Sequence, residues 1–177
     1  MSVEAPSSNY YDFFGIDHRL NLDPKALESR FYALSRQWHP DRFARASERE
    51  QQIAVDAAAI LNDGYRTLKD PVRRAQYLLK ERGFEIGEQQ SNEVPPELLE
   101  EVFELNMALE ESDREQLVEQ QTKFVSMRDS IDADLAGQFA VYDSSEDRVV
   151  LERIRAILNK RKYIFNLIGR VERALAE

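Results

Sequence analysis

Trp38-His39-Pro40-Asp41-Arg42-Phe43 separates two stretches of helical periodicity, 24–38 and 47–69. A chain that only had to turn here would use Gly, Asn or Ser. This one presents an imidazole, a rigid ring, a carboxylate and a guanidinium in succession. Pro40 drives His39 out of the α region and fixes its own φ, so the first helix stops at about Trp38. His39 and Asp41 are then held at a set angle on a surface loop, which suits docking to a partner. The plainer reading is a helix terminator with incidental polar neighbours. The triplet alone does not separate the two readings; its setting must.

Working backwards, Asp23-Pro24 is a helix start, with Asp as N-cap and Pro at the first helical position. Leu27, Phe31, Leu34 and Trp38 follow as one apolar stripe. Lys25, Arg30 and Arg36 lie off that stripe. With Arg42 and Arg45 they form either a basic surface beside His39 and Asp41 or a merely solvated face. Asn9-Tyr10-Tyr11-Asp12-Phe13-Phe14-Gly15 reads as one or two helical turns stopped by Gly15, preceded by a flexible tail over 1–8.

Working forwards, Ser47-Glu48-Arg49-Glu50 is a capping box. Ile53, Ala57, Ile60, Leu61 and Leu68 are the apolar positions of that helix, with Tyr65 alongside and an alanine run at 57–59 that permits close helix approach. Gly64 breaks the local rule at a cost of about 1 kcal/mol relative to Ala. Asp70-Pro71 opens a further helix with Ala75, Leu78 and Leu79 as its packing face. Lys80 and Arg82 favour its negative end, and Gly83 can cap it. The His-Pro-Asp stretch therefore sits at the tip of an antiparallel helical hairpin.

Residues 83–96, with Gly87, Pro95 and Pro96, read as a linker. Residues 97–111 carry two stripes: Leu98, Val102, Leu105 and Leu109, then Leu99, Phe103 and Met107. One stripe suffices for a core. The second is either exposed for a partner or buried between two helices, and the pattern leaves both open. Ser112-Asp113-Arg114-Glu115 is another capping box, opening a helix to about Tyr142, and Asp143-Ser144-Ser145-Glu146 breaks the chain. The last helix places Val150, Ile154, Ile157, Ile164, Ile168, Val171 and Leu175 at three- and four-residue steps, with Arg161 the one gap. That approaches an a/d seam, and three helices on short turns imply an antiparallel bundle.

The 177 residues allow one domain or two small ones. Net charge is −9, carried by residues 83–177 with 11 Lys+Arg against 21 Asp+Glu, while residues 1–82 carry 13 against 12. The acidic half should repel nucleic acid and anionic lipid, and the asymmetry fits two modules with different partners. No apolar run reaches the roughly 20 residues of a membrane span. The N-terminus has neither a secretory nor a transit pattern. The absence of cysteine excludes thiolate chemistry. His18 and His39 are the only histidines and neither has a second His at ligand spacing, so no metal site is expected. No Gly-rich phosphate loop, Ser nucleophile motif or catalytic carboxylate pair is apparent. Pro40 argues against a local contact between His39 and Asp41, so no acid/base pair is expected and the chain reads as a non-enzyme without cofactor.

Tyr11-Asp12-Phe13-Phe14-Gly15-Ile16, Arg30-Phe31, Trp38-His39-Pro40-Asp41-Arg42-Phe43, Ile60-Leu61-Asn62-Asp63-Gly64-Tyr65, Leu68 and Asp70-Pro71-Val72-Arg73-Arg74-Ala75 together resemble a J-domain. Arg74-Ala75-Gln76-Tyr77-Leu78-Leu79 resembles the HscB type, the iron–sulfur co-chaperones. Arg42 stands where that family more often has Lys, and Gly64 where it has Ala. The resemblance implies an all-α protein: a tail over 1–8, a J-domain over 9–82, a linker over 83–96 and a C-terminal three-helix client-binding domain over 97–177, L-shaped together. It implies that His39, Pro40, Asp41, Arg30, Arg36 and Arg42 dock on a 70-kilodalton-class heat-shock ATPase of the HscA or DnaK kind. Matching Glu104-Leu105-Asn106 to the family's Glu-Leu-Arg carries its client contacts onto Leu99, Glu100, Phe103, Glu104, Met107 and Glu111, with Tyr163 as the aromatic of the last helix. Glu100 and Met107 exchange type relative to the usual pattern. The implied client is an IscU-type iron–sulfur scaffold, met in the cytoplasm by a monomer or weak dimer, with no nucleic-acid or membrane partner. Two alternatives stand: a J-protein with another client, and an adaptor that dimerises through the seam of its last helix.

Overall fold

Why these residues form helices is visible at their caps. The computed structural model describes residues 5–84, 94, 96–111 and 113–176. Gly87, Pro95 and Ser112, together with most of the expected linker and the start of the tail, lie outside the described residues. No strand occurs among the described residues. The chain divides into two compact units, 1–82 and 83–177.

In the first unit, α1 (Tyr10–Phe14) is capped by the Asn9 side chain and closed by Gly15 in the left-handed region at φ 61°. Helix α2 (Pro24–Gln37) starts on the Asp23 side chain, which accepts from the Lys25 N–H. A 3₁₀ turn (Pro40–Phe43) follows, then α3 (Glu48–Lys69) with the full Ser47/Glu50 capping box, then α4 (Pro71–Glu81) capped by Asp70. Helix α3 is the floor. Its buried face is Ala54, Ala57, Leu61, Gly64 and Leu68, whereas Ile53 and Ile60, expected in that face, are only half-buried. Small residues win because α1 and α2 both press on α3. A Cβ at Gly64 would lie 3.0 Å from Phe14 Cε2 and 3.1 Å from Tyr10 Cδ1. The glycine that violates helix propensity is thus the seat of the α1 aromatics.

One buried charge holds this unit together. Arg74 of α4 is buried, and its Nε donates to the Leu20 carbonyl at 2.7 Å while Nη1 donates to the Leu68 carbonyl. It ties the loop before α2 to the negative end of α3, where a cation is favoured. Burial pushes the Tyr77 hydroxyl pKa up, although the bond it accepts from the Tyr10 N–H at 3.0 Å opposes this.

In the second unit a 3₁₀ turn (Pro96–Leu98) leads into α5 (Leu99–Glu111), so the first turn expected to be α-helical is tighter. Helix α6 (Arg114–Ser145) is capped by Asp113, the second residue of the expected capping box, which accepts from Gln116 N–H at 3.1 Å. It also runs past the expected break at Asp143, because Ser144 and Ser145 hydroxyls bond back to the Val141 carbonyl before Glu146 ends it in the left-handed region. Helix α7 is Arg148–Ala176. Leu98, Leu105, Ala108, Leu117, Phe124, Ile164, Ile168 and Val171 close one core. Helix α5, at 13 residues, covers only part of the length of α6 and α7, which have 32 and 29. Arg161, the gap in the α7 seam, reaches Asp132 of α6 in a bidentate pair, Nε to Oδ1 and Nη2 to Oδ2 at 3.3 Å.

Gly64→Ala should gain none of the ~1 kcal/mol that helix propensity alone offers, because the new methyl crowds two rings. Gly64→Val should lose about 2–3 kcal/mol. Urea unfolding of the two variants against the parent checks both.

Candidate functional site

At the hairpin tip the Trp38 N–H still reaches the Leu34 carbonyl at 2.9 Å, but His39 is extended at ψ 130°. Pro40 therefore ends α2 where the sequence places the end. The next step differs from expectation. The 3₁₀ turn folds Asp41 back, so that its N–H donates to His39 Nδ1 at 3.3 Å and its Oδ2 lies 3.6 Å from the same nitrogen. Proline does not keep His39 and Asp41 apart; by starting a tight turn it closes the contact. The side chains remain 56% and 90% exposed, so the pair faces water rather than a pocket.

Aromatic stacking fixes the tip. Trp38 and Phe43 lie 6.1 Å apart with planes within 8°, and Phe13 of α1 stacks on Trp38 at 6.5 Å. Arg42 Nη1 donates to the Arg36 carbonyl at 3.4 Å, placing a cation at the negative end of α2. Arg36, His39, Pro40, Asp41 and Arg42 are thus gathered at one end of the hairpin. Arg30 is not with them. Its Nε donates to the Phe14 carbonyl at 3.0 Å and its Nη2 to Gly15 at 3.4 Å, capping α1.

A second surface lies on α5. Leu99, Phe103 and Met107 are 56%, 66% and 41% exposed, which places the second stripe in solvent rather than between helices. Glu100 and Glu111 are exposed beside it. Phe103 and Met107 wall a groove of about 440 Å³ whose other lining is Glu104, Gln116, Glu119 and Gln120. Tyr163 is half-buried and packs against the bundle core, and it does not line this groove. Glu104 is engaged within the fold: it accepts from Lys123 Nζ and from Gln120 Nε2, each at 3.1 Å. The hydrogen bond from Lys123 is the main cause holding the Glu104 carboxyl below its ordinary range, with Gln120 second. The same bond holds the Lys123 ammonium above its ordinary value. Sequence periodicity missed Gln116, Glu119, Gln120 and Lys123. The available signal was Lys123 itself, one of two cations between 97 and 127 in an acidic stretch.

Among the described residues no cluster of His, Cys, Asp and Glu is arranged to hold a metal ion, and no helix is long and apolar enough to cross a membrane.

A helical hairpin with an exposed His-Pro-Asp turn at its tip defines a J-domain protein. The DnaJ domain family model matches residues 9–77, and the HSCB C-terminal oligomerisation domain matches residues 94–172. The chain is 42% identical over 170 residues to the co-chaperone protein HscB homolog of Vibrio cholerae serotype O1, covering 93% of this chain and 95% of that one. It is 33% identical over 171 residues to the homolog of Shewanella loihica, covering 94% and 96%. Among solved structures, the chaperone HscB from Vibrio cholerae matches with a TM-score of 0.63 at 37% identity, covering 93% of this chain and 96% of that one. Human co-chaperone protein HscB matches with a TM-score of 0.74 at 26% identity, covering 97% and 85%. The chain belongs to the HscB family of co-chaperones.

The Glu104–Lys123 bridge yields a pH prediction. A lowered carboxyl pKa adds stability above the ordinary Glu value, and that stability is lost as pH falls through the lowered one. A raised ammonium pKa adds stability below the ordinary Lys value, lost as pH rises through the raised one. Both groups are about 40% exposed. Lys123→Met should therefore cost under about 1 kcal/mol near neutrality. The difference from the parent should fade as pH falls below the ordinary Glu value and through the lowered one, and as pH rises above the ordinary Lys value and through the raised one, in unfolding titrations.

Proposed function

We propose that this co-chaperone stimulates the ATPase of a 70-kilodalton-class heat-shock chaperone of the HscA or DnaK type and presents to it an IscU-type iron–sulfur scaffold. The observation that carries the first half is the exposed, stack-anchored His39-Pro40-Asp41 turn, with Arg36 and Arg42 beside it. Arg30 acts differently: it holds α1 in place and supports the tip indirectly. ATP hydrolysis belongs to the partner. Docking accelerates it only if the turn binds the hydrolysis-competent state more tightly than the other.

The exposed Leu99–Phe103–Met107 stripe, bordered by Glu100 and Glu111, supports a client face on α5. Glu104 braces that face, and Tyr163, half-buried against the bundle core, is the aromatic of the last helix assigned to it. We assign the J-domain to 9–82, the linker to 83–96 and the client domain to 97–177, working in the cytoplasm for cluster transfer to iron–sulfur proteins. One chain carrying both contacts raises the client's effective concentration at the chaperone. The α7 seam residues Val150, Ile154, Ile164, Ile168 and Val171 are buried within this chain. That favours a monomer over a dimerising adaptor.

His39→Gln should abolish stimulation of the chaperone's single-turnover ATP hydrolysis while circular dichroism stays unchanged. Full stimulation by the variant would remove the ATPase half of the proposal. Phe103→Ala should weaken scaffold binding about tenfold or more, as truncation of a central aromatic does, with melting unaltered. Titration calorimetry with the scaffold reads that loss.

A further inference from the structure

The client face as proposed is confined to α5 and Tyr163, yet the groove beside it continues onto α6. Phe103 and Met107 form one wall, and Gln116 and Glu119 of α6 form the other. Glu104 spans the groove as a strut, its carboxylate shared between Lys123 and Gln120. It is therefore poorly placed to meet a client cation. Glu119 is exposed and makes no ion pair among the described residues, and the same holds for Glu100, Glu111 and Glu115. The groove is thus apolar on one side and carries the exposed Glu119 carboxylate, without an ion pair among the described residues, on the other, with further exposed carboxylates nearby on α5 and α6. An acidic segment would meet like charge there, and a purely apolar one would leave the carboxylates without partners.

We infer that the docking surface crosses from α5 onto α6, and that the groove takes a client segment carrying an apolar side chain with a lysine or arginine next to it. The apolar group seats against Phe103 and Met107, and the cation meets Glu119. The inference deepens the client-binding reading above and rests on it. Glu104 is a positioning residue here: it sets the spacing of α5 and α6 and so the width of the groove.

The test is titration of the full-length parent and its variants with an IscU-type scaffold protein, at low salt and at about 0.5 M salt, where charges are screened over a few ångströms. Glu119→Lys should weaken binding about tenfold at low salt, and the gap from the parent should narrow at high salt. Glu152→Lys makes the same change in net charge on an exposed residue near the start of α7, and should change affinity less than about twofold. If Glu119→Lys lowers the melting temperature, Glu119→Gln, which keeps the shape and removes the charge, carries the comparison. Glu119 variants that bind like Glu152→Lys, while Phe103→Ala loses affinity, would end the docking surface at α5 and leave the client reading standing. Phe103→Ala binding as tightly as the parent, or a parent that does not bind the scaffold at all, would overturn the client reading and this inference together.

Discussion

Helix α2 has to stop at Trp38, because Pro40 can neither donate an N–H nor tolerate a helical residue before it. The rest of the first unit is arranged around how the freed groups are satisfied. The carbonyl of Arg36 takes the Arg42 guanidinium, and the His39 carbonyl takes the Arg42 N–H at 3.0 Å. Trp38, released from helical packing, lies in a stack between Phe13 and Phe43. That stack joins the turn to α1, and α1 sits closely on α3 where residue 64 has no side chain. The direction in which His39 and Asp41 are offered to a partner therefore depends on a contact made by α1 on the floor of the hairpin.

Much of this was legible beforehand because it is local. Asp23, Ser47 and Asp70 each cap the helix that follows them, and proline marks the first turn in two of the three cases. Contacts that cross between elements were not legible. The Arg30 side chain could have joined the basic cluster at the tip; its destination, the end of α1, lies about fifteen residues back along the chain. Arg74 looks like one of three basic residues on α4 until its two carbonyl partners are seen. The His39–Asp41 contact was not legible for a different reason. Besides ending a helix, a proline with φ fixed near −65° is a good start for a 3₁₀ turn, which brings residues two apart together.

The second unit repeats the lesson with charge. Two stripes on α5 were readable as a pattern, but only packing decides which is covered: it is that of Leu98, Val102, Leu105 and Leu109, with Leu98 and Leu105 buried and Val102 and Leu109 half-buried, and Ala108, in neither stripe, buried beside it. The other stays in water, where contiguous apolar groups of this kind invite association. It is bordered by the exposed carboxylates Glu100 and Glu111. The part played by Glu104 there could not be read from sequence, because it depends on Lys123, a residue nineteen positions away on another helix.

The Arg161–Asp132 pair has a consequence for how the long α6–α7 arms find each other. Two helices faced with evenly spaced aliphatic residues can slide past one another by a heptad and still cover most of their grease. A slid pairing here would break both Arg161–Asp132 hydrogen bonds and set each charged group against an apolar residue of the facing helix. This polar rung thus favours one alignment of the arms over its neighbours.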